Sequence, residues 1–120
     1  MNYKIVNKNH KRYIEYTSEG IQLSSEQDVL DIIGSCMENR CDYLMLHGET
    51  LSEDFFNLRT GFAGMALQKF INYHIKVAII LNNEEKFNDR FKEMVIEANK
   101  GNHFRTFKNI ADAEIWISSL

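Results

Sequence analysis

The sequence predicts an α/β domain, a mixed sheet of about five strands that opens with an antiparallel hairpin and continues in parallel, with about four helices. Three observations carry this. Tyr43-Leu44-Met45-Leu46 and Val77-Ala78-Ile79-Ile80-Leu81 are short apolar runs without alternation, the pattern of strands covered on both faces. Between them, Phe62, Ala66, Phe70 and Tyr73 recur at helical spacing, so a helix has to connect the two strands. Ahead of both, Tyr3 to Asn7 and Arg12 to Thr17 carry tyrosine and isoleucine on either side of polar Lys8-Asn9-His10-Lys11, which suits a hairpin.

The remaining elements follow in order. Ser24 stands three residues before Gln27, the spacing of a capping box, and Val29, Ile32, Ile33 and Cys36 then keep helical periodicity to about Asn39. After the Val77 strand, Phe87, Phe91, Met94, Val95 and Ala98 repeat a helical stripe, with Glu84, Glu85, Lys86, Arg90 and Lys92 off it. Gly101 supplies the stop signal. His103 to Phe107 reads as the fifth strand. Asn109 is placed to cap a last helix toward Leu120, with Asp112 near its positive end and Ala113, Trp116, Ile117 and Leu120 as anchors.

Composition narrows the class. The 120 residues are 44% hydrophobic and 26% charged, which suits one domain over residues 1–120 with a continuous core. A formal charge of −3 without basic or acidic blocks argues against nucleic acid and anionic membrane as partners. No apolar run approaches the roughly 18 residues of a membrane span, and the first residues do not read as a signal peptide, so the expected location is the cytoplasm. Cys36 and Cys41 match no zinc-ligand, redox or disulfide spacing and are expected as reduced thiols, Cys36 on the buried side of its helix.

The stretch from His47 to Gly64 is where function is expected. Polar residues interrupt the third strand there, and open α/β sheets bind ligands beyond the carboxyl ends of their parallel strands. His47 and Glu49 suggest an acid and base pair, because histidine titrates near neutrality and a carboxylate can orient it. A hydrogen bond from His47 to a loop carbonyl and a solvated Glu49 would explain the same residues. Arg59 and Thr60, at the start of the next helix, offer donors for a phosphate or carboxylate, while Thr60 is equally an ordinary N-cap. Gly61 and Gly64 suit either close ligand approach or tight helix packing. Asp54 completes a conceivable metal set with His47 and Glu49, but without helical HExxH spacing, and no cofactor fingerprint is present. Ser52 is placed to cap a short helical turn, with Phe55 and Phe56 either plugging the core or presenting one exposed aromatic.

LHGETLSEDFFNLRTGFAG, LQKFINYHIKVAII and EANKGNHF resemble an uncharacterised bacterial family known as domain of unknown function 4180, a likeness that spans nearly the whole chain. It implies a bacterial setting and a fold, but no reaction. The layout is also similar to the STAS domains of anti-sigma-factor antagonists, which carry a phosphorylatable serine in an Asp-Ser-Ser-Gly-Leu-like motif before the corresponding helix. Here that segment reads Leu58-Arg59-Thr60-Gly61-Phe62, with Thr60 near the serine's place and Arg59 where a small hydroxyl residue is usual. The expectation is a STAS-like regulatory or protein-interaction module that uses the 47–64 segment, with His47, Glu49, Asp54, Arg59 and Thr60 as its binding residues. The competing expectation is a binder of an anionic small molecule, or an enzyme, built on the same residues. A homodimer is expected if the helices leave one sheet face bare.

Overall fold

The computed structural model describes residues 2–16, 22–82 and 87–120. Strands β1 (Tyr3–Lys8) and β2 (Lys11–Tyr16) form the expected hairpin and run right up to its turn. Only Asn9 and His10 lie between them, both at positive φ (51° and 66°), as a two-residue type I′ turn requires. Thr17, the last residue of the expected second strand, lies outside the described residues.

Helix α1 (Glu26–Glu38) is capped one residue later than the Ser24/Gln27 spacing implies. The Ser25 hydroxyl accepts from the Asp28 N–H at 3.2 Å, and the Asp28 carboxylate accepts from the Ser24 and Ser25 N–H groups at 3.0 and 3.1 Å. One short carboxylate thus closes the box, while Gln27 donates instead to Asp31 at 2.8 Å. The helix ends on Arg40 in the left-handed region (φ 50°), with N–H bonds from Arg40 to the Met37 carbonyl and from Cys41 to the Cys36 carbonyl, a Schellman closure without glycine.

β3 (Tyr43–His47) follows, then a 3₁₀ turn (Gly48–Thr50), a one-turn helix α2 (Glu53–Phe56), a second 3₁₀ turn (Leu58–Thr60) and α3 (Phe62–Asn72). Helix α3 closes as α1 does, through His74 at φ 59°. Tyr73 stands exposed at its end rather than on the buried stripe. After β4 (Lys76–Ile80), α4 runs over Asp89–Ala98. Phe87 therefore precedes this helix instead of starting it, and the break is set by Asn88, whose side chain accepts from the Phe91 N–H at 2.9 Å. Asn99, not Gly101, caps the far end. Glu84, Glu85 and Lys86 lie outside the described residues. β5 (Phe104–Phe107) and α5 (Ile110–Ser119) complete the chain, α5 capped by Asn109 as expected.

The strands lie in chain order, β1-β2-β3-β4-β5, antiparallel in the hairpin and parallel thereafter. The expected mixed α/β architecture is therefore present. One face packs Ile14, Tyr16, Leu44, Leu46, Val77 and Ile79 against α1, α2, α3 and Phe91 of α4. The other packs Tyr13, Met45, Ala78 and Ile80 against Ala113, Trp116 and Ile117 of α5. The condition the sequence set for an obligatory dimer, all helices on one side, is not met. No helix among the described residues is long and apolar enough to cross a membrane.

Candidate functional site

The carboxyl ends of the strands carry two separate polar constellations, one on each face of the sheet. On the α5 face, His47 Nε2 lies 2.6 Å from Glu15 Oε2, and Lys4 Nζ lies 3.4 Å from the other oxygen. Backbone register explains the group. Lys4 is directly opposite Glu15 across the hairpin, Glu15 is level with Met45, and His47 is the next residue of β3 on that face. The Glu15 side chain is only 7% exposed, so the imidazole and the ammonium provide the partners without which a buried carboxylate would be costly. Below it, the Tyr13 hydroxyl donates to Glu114 of α5 at 2.8 Å, and burial together with that neighbour raises the phenol well above its ordinary pKa.

Glu15 is absent from the set the sequence suggests. The signal was there, since alternation along β2 puts it on the same face as Tyr13, inside a run that is otherwise aromatic or aliphatic. Glu49, the partner expected for His47, is exposed on the Gly48–Thr50 turn, where its carbonyl accepts from Gln22 at 3.5 Å. The close approach in this stretch occurs at Gly48, where a Cβ would stand 3.1 Å from Leu81 Cδ2 and 3.3 Å from the Ile80 carbonyl. Gly64 faces open space, so tight packing does not account for it.

On the opposite face, α2, the Leu58–Thr60 turn and the start of α4 enclose an open groove of about 1090 Å³. A parallel bridge between Leu23 and Leu51, together with the Ser52 N–H bond to the Leu23 carbonyl at 3.2 Å, anchors its near wall. The short helix α2 exists because Phe55 and Phe56 are both buried. Phe55 makes edge-to-face contacts with Phe56, Phe62 and Phe91, and Phe56 stacks on Phe87. This is the core plug of the two alternatives, and neither ring is left free as an exposed anchor.

Leu51, Phe56 and Leu58 give the groove apolar wall, while exposed Glu53, Asp54, Arg59, Asp89 and Arg90 supply charges of both signs. Of the five residues the sequence singled out, Asp54 and Arg59 meet here, and His47 and Glu49 do not line it. Thr60 lies beside it with its hydroxyl occupied, donating to the Asp54 carbonyl at 2.7 Å with the Asn57 carbonyl at 2.9 Å, and accepting from the Phe62 N–H at 3.2 Å. It does not cap α3, whose N-cap is Gly61 at φ 75°. Ser52 occupies the cap position of α2 but makes no capping bond, and its buried Oγ has no hydrogen-bond partner among the described residues.

Burial pushes the Cys36 thiol up to about 12, which keeps it protonated and unreactive. Among the described residues no three His, Cys, Asp or Glu side chains gather where they could hold a metal ion.

Fold and site together define a small α/β domain with an open groove at the strand ends. The chain belongs to the family described as domain of unknown function (DUF4180), whose model matches residues 8–117. No curated protein matches the chain significantly, and no solved structure does.

Proposed function

We propose that the protein is a regulatory module that binds another protein through the groove between α2 and the start of α4. The observation that carries this reading is the composition of the groove, an open trough with apolar wall and charges of both signs. Enclosed small-molecule sites are mostly apolar cavities on the order of 300–1,000 Å³ with few polar groups, whereas a polypeptide segment needs a longer, open and mixed surface. The STAS-like layout supports the same role by analogy, a weaker support than the groove itself, and the proposed setting is the bacterial cytoplasm. The phosphoswitch of STAS antagonists is not part of the proposal, because the Thr60 hydroxyl is engaged by backbone on both its donor and acceptor sides.

A photo-crosslinking amino acid placed at Leu58, inside the groove, and separately at exposed Tyr73, outside it, tests the reading in cells that make the protein. The expected result is a discrete protein adduct from position 58 that disappears when Arg90→Glu is added, with none from position 73. Adducts of equal yield from both positions, or none from position 58, would overturn it.

A further inference from the structure

The two edges of the sheet are finished differently. At β5, a strand of four residues, the carbonyls of His103 and Phe107 face β4, accepting from Val77 and Leu81, so the Thr106 N–H points outward. It donates to Asn99 Oδ1 at 2.8 Å, while Asn99 Nδ2 lies 3.2 Å from the Thr106 hydroxyl. Asn99 ends α4, so the chain closes this edge with its own side chain. β1, at the other edge, is six residues long, exposed along almost all of its length, and has no neighbouring strand beyond β2 among the described residues.

The hairpin fixes which groups of β1 are left over. Lys8 and Lys11 flank a two-residue turn and exchange both hydrogen bonds, and alternation then directs the backbone of Lys4, Val6 and Lys8 toward β2. The N–H and C=O groups of Tyr3, Ile5 and Asn7 point outward, without backbone partners among the described residues. Side chains at these three positions stand on the α1 face, where Tyr3 and Ile5 are 37% and 39% exposed.

Such an edge accepts a further strand, and the sequence of β1 fits a second copy of itself in one register. A two-fold axis through a residue, rather than between two, brings outward groups together. With the axis at Ile5, Tyr3 faces Asn7 of the second copy, Ile5 faces its equivalent, and about six backbone hydrogen bonds form. Lys4 then stands opposite Val6. An axis at Lys4 would set Lys4 against Lys4, and one at Val6 would set Lys4 against Lys8, both over a ladder with fewer outward pairs. Lysines commonly guard an edge, but here Lys4 is drawn to its own Glu15 at 3.4 Å, and the two lysines exclude the neighbouring registers while leaving this one open.

We infer that two copies of the chain join their β1 strands antiparallel about a two-fold axis at Ile5, making one continuous sheet. Helices within each chain cover both sheet faces, so the contact is made by the edge, its area is at the low end of specific interfaces, and the dimer is reversible. β1 lines no part of the groove, so this inference and the groove's role stand or fall separately.

The test uses the full chain carrying Ile5→Cys, with Lys8→Cys as the control. The native Cys36 and Cys41 are buried and do not compete. Across the axis the two substituted positions 5 have Cα atoms about 5.5 Å apart, within disulfide reach, whereas positions 8 are roughly 20 Å apart. Under mild oxidation Ile5→Cys should therefore crosslink at least about tenfold faster than Lys8→Cys. Without either substitution, sedimentation equilibrium should show monomer and dimer in exchange, with association weakened about tenfold by Ile5→Lys, which sets like charges on the axis. Raising the protein concentration should slow amide exchange more at Ile5 and Asn7 than at Val6, whose N–H is bonded within the hairpin. A monomer at about 1 mM, a dimer that Ile5→Lys leaves intact, or equal crosslinking from the two cysteine variants would overturn the inference.

Discussion

His47 and Arg59 belong to one polar segment and end on opposite faces of the sheet, one closed in and the other left open. His47 is bonded to Glu15 at 2.6 Å, a carboxylate buried on the α5 face, and the contact offsets the cost of that burial. Arg59 lines an open groove and is in none of the ion pairs among the described residues. A residue can therefore be ionisable, at a strand end and in the right loop, and have its charge partner inside the domain. The difference can be broken or sharpened by substitutions that separate stability from binding.

The largest effect is expected at Phe55, which is fully buried and touches three other aromatic rings. Phe55→Ala should cost about 3–5 kcal/mol of unfolding free energy in urea, because the cavity forms where three elements meet and cannot collapse easily. Next is His47→Ala, expected to cost about 2–3 kcal/mol, below the roughly 3–5 kcal/mol of a fully enclosed pair because Lys4 still faces Glu15. Glu15→Gln, which keeps a hydrogen-bonding oxygen beside the imidazole, should lose about 1 kcal/mol, and a larger loss from the glutamine than from His47→Ala would show that the carboxylate charge is needed for its own sake.

The order of strands and helices was legible because periodicity reports burial, and burial is what the sheet and its helices share. Tyr43–Leu46 and Val77–Leu81 announced covered strands, and Asn109 announced a cap that is present. Finer features were not legible for local reasons. Three polar residues, Ser24, Ser25 and Asp28, compete for one helix start, and the box is set by which carboxylate reaches two N–H groups at once. The α4 boundary turned on Asn88 rather than on the aromatic stripe, since Phe87 is apolar whether it lies inside the helix or ahead of it. The site was half legible. Asp54 and Arg59 do share a concavity, but Glu15 and Arg90 come from elements distant in the chain, and only the tertiary fold shows which face each strand-end residue takes.

Smaller effects probe the groove wall and the backbone. Asn88→Ala removes the cap of α4 and should cost about 1 kcal/mol, with faster amide exchange confined to the start of that helix, so it loosens one wall without touching the His47 face. Gly64→Ala should have the opposite sign. The glycine lies inside α3 with nothing within 4 Å of a built Cβ, and alanine should stabilise by about 0.8–1 kcal/mol, read as a rise in urea midpoint at unchanged slope. A loss instead would mean that the open space beside Gly64 is occupied in solution, and that α3 has a partner not yet accounted for.

Arg59→Gln and Arg90→Gln should change stability least, within about 0.5 kcal/mol, as expected for exposed side chains in no ion pair among the described residues. Arg90→Gln should if anything stabilise, because it removes a cation from the positive end of α4. That small number is the sharpest test of the comparison. A groove arginine that costs stability when removed has an internal partner and belongs with His47. If both variants keep wild-type unfolding curves while the capture at position 58 is lost, the two guanidiniums are kept for something outside the domain, and the opposite faces of the sheet differ in purpose as they do in burial.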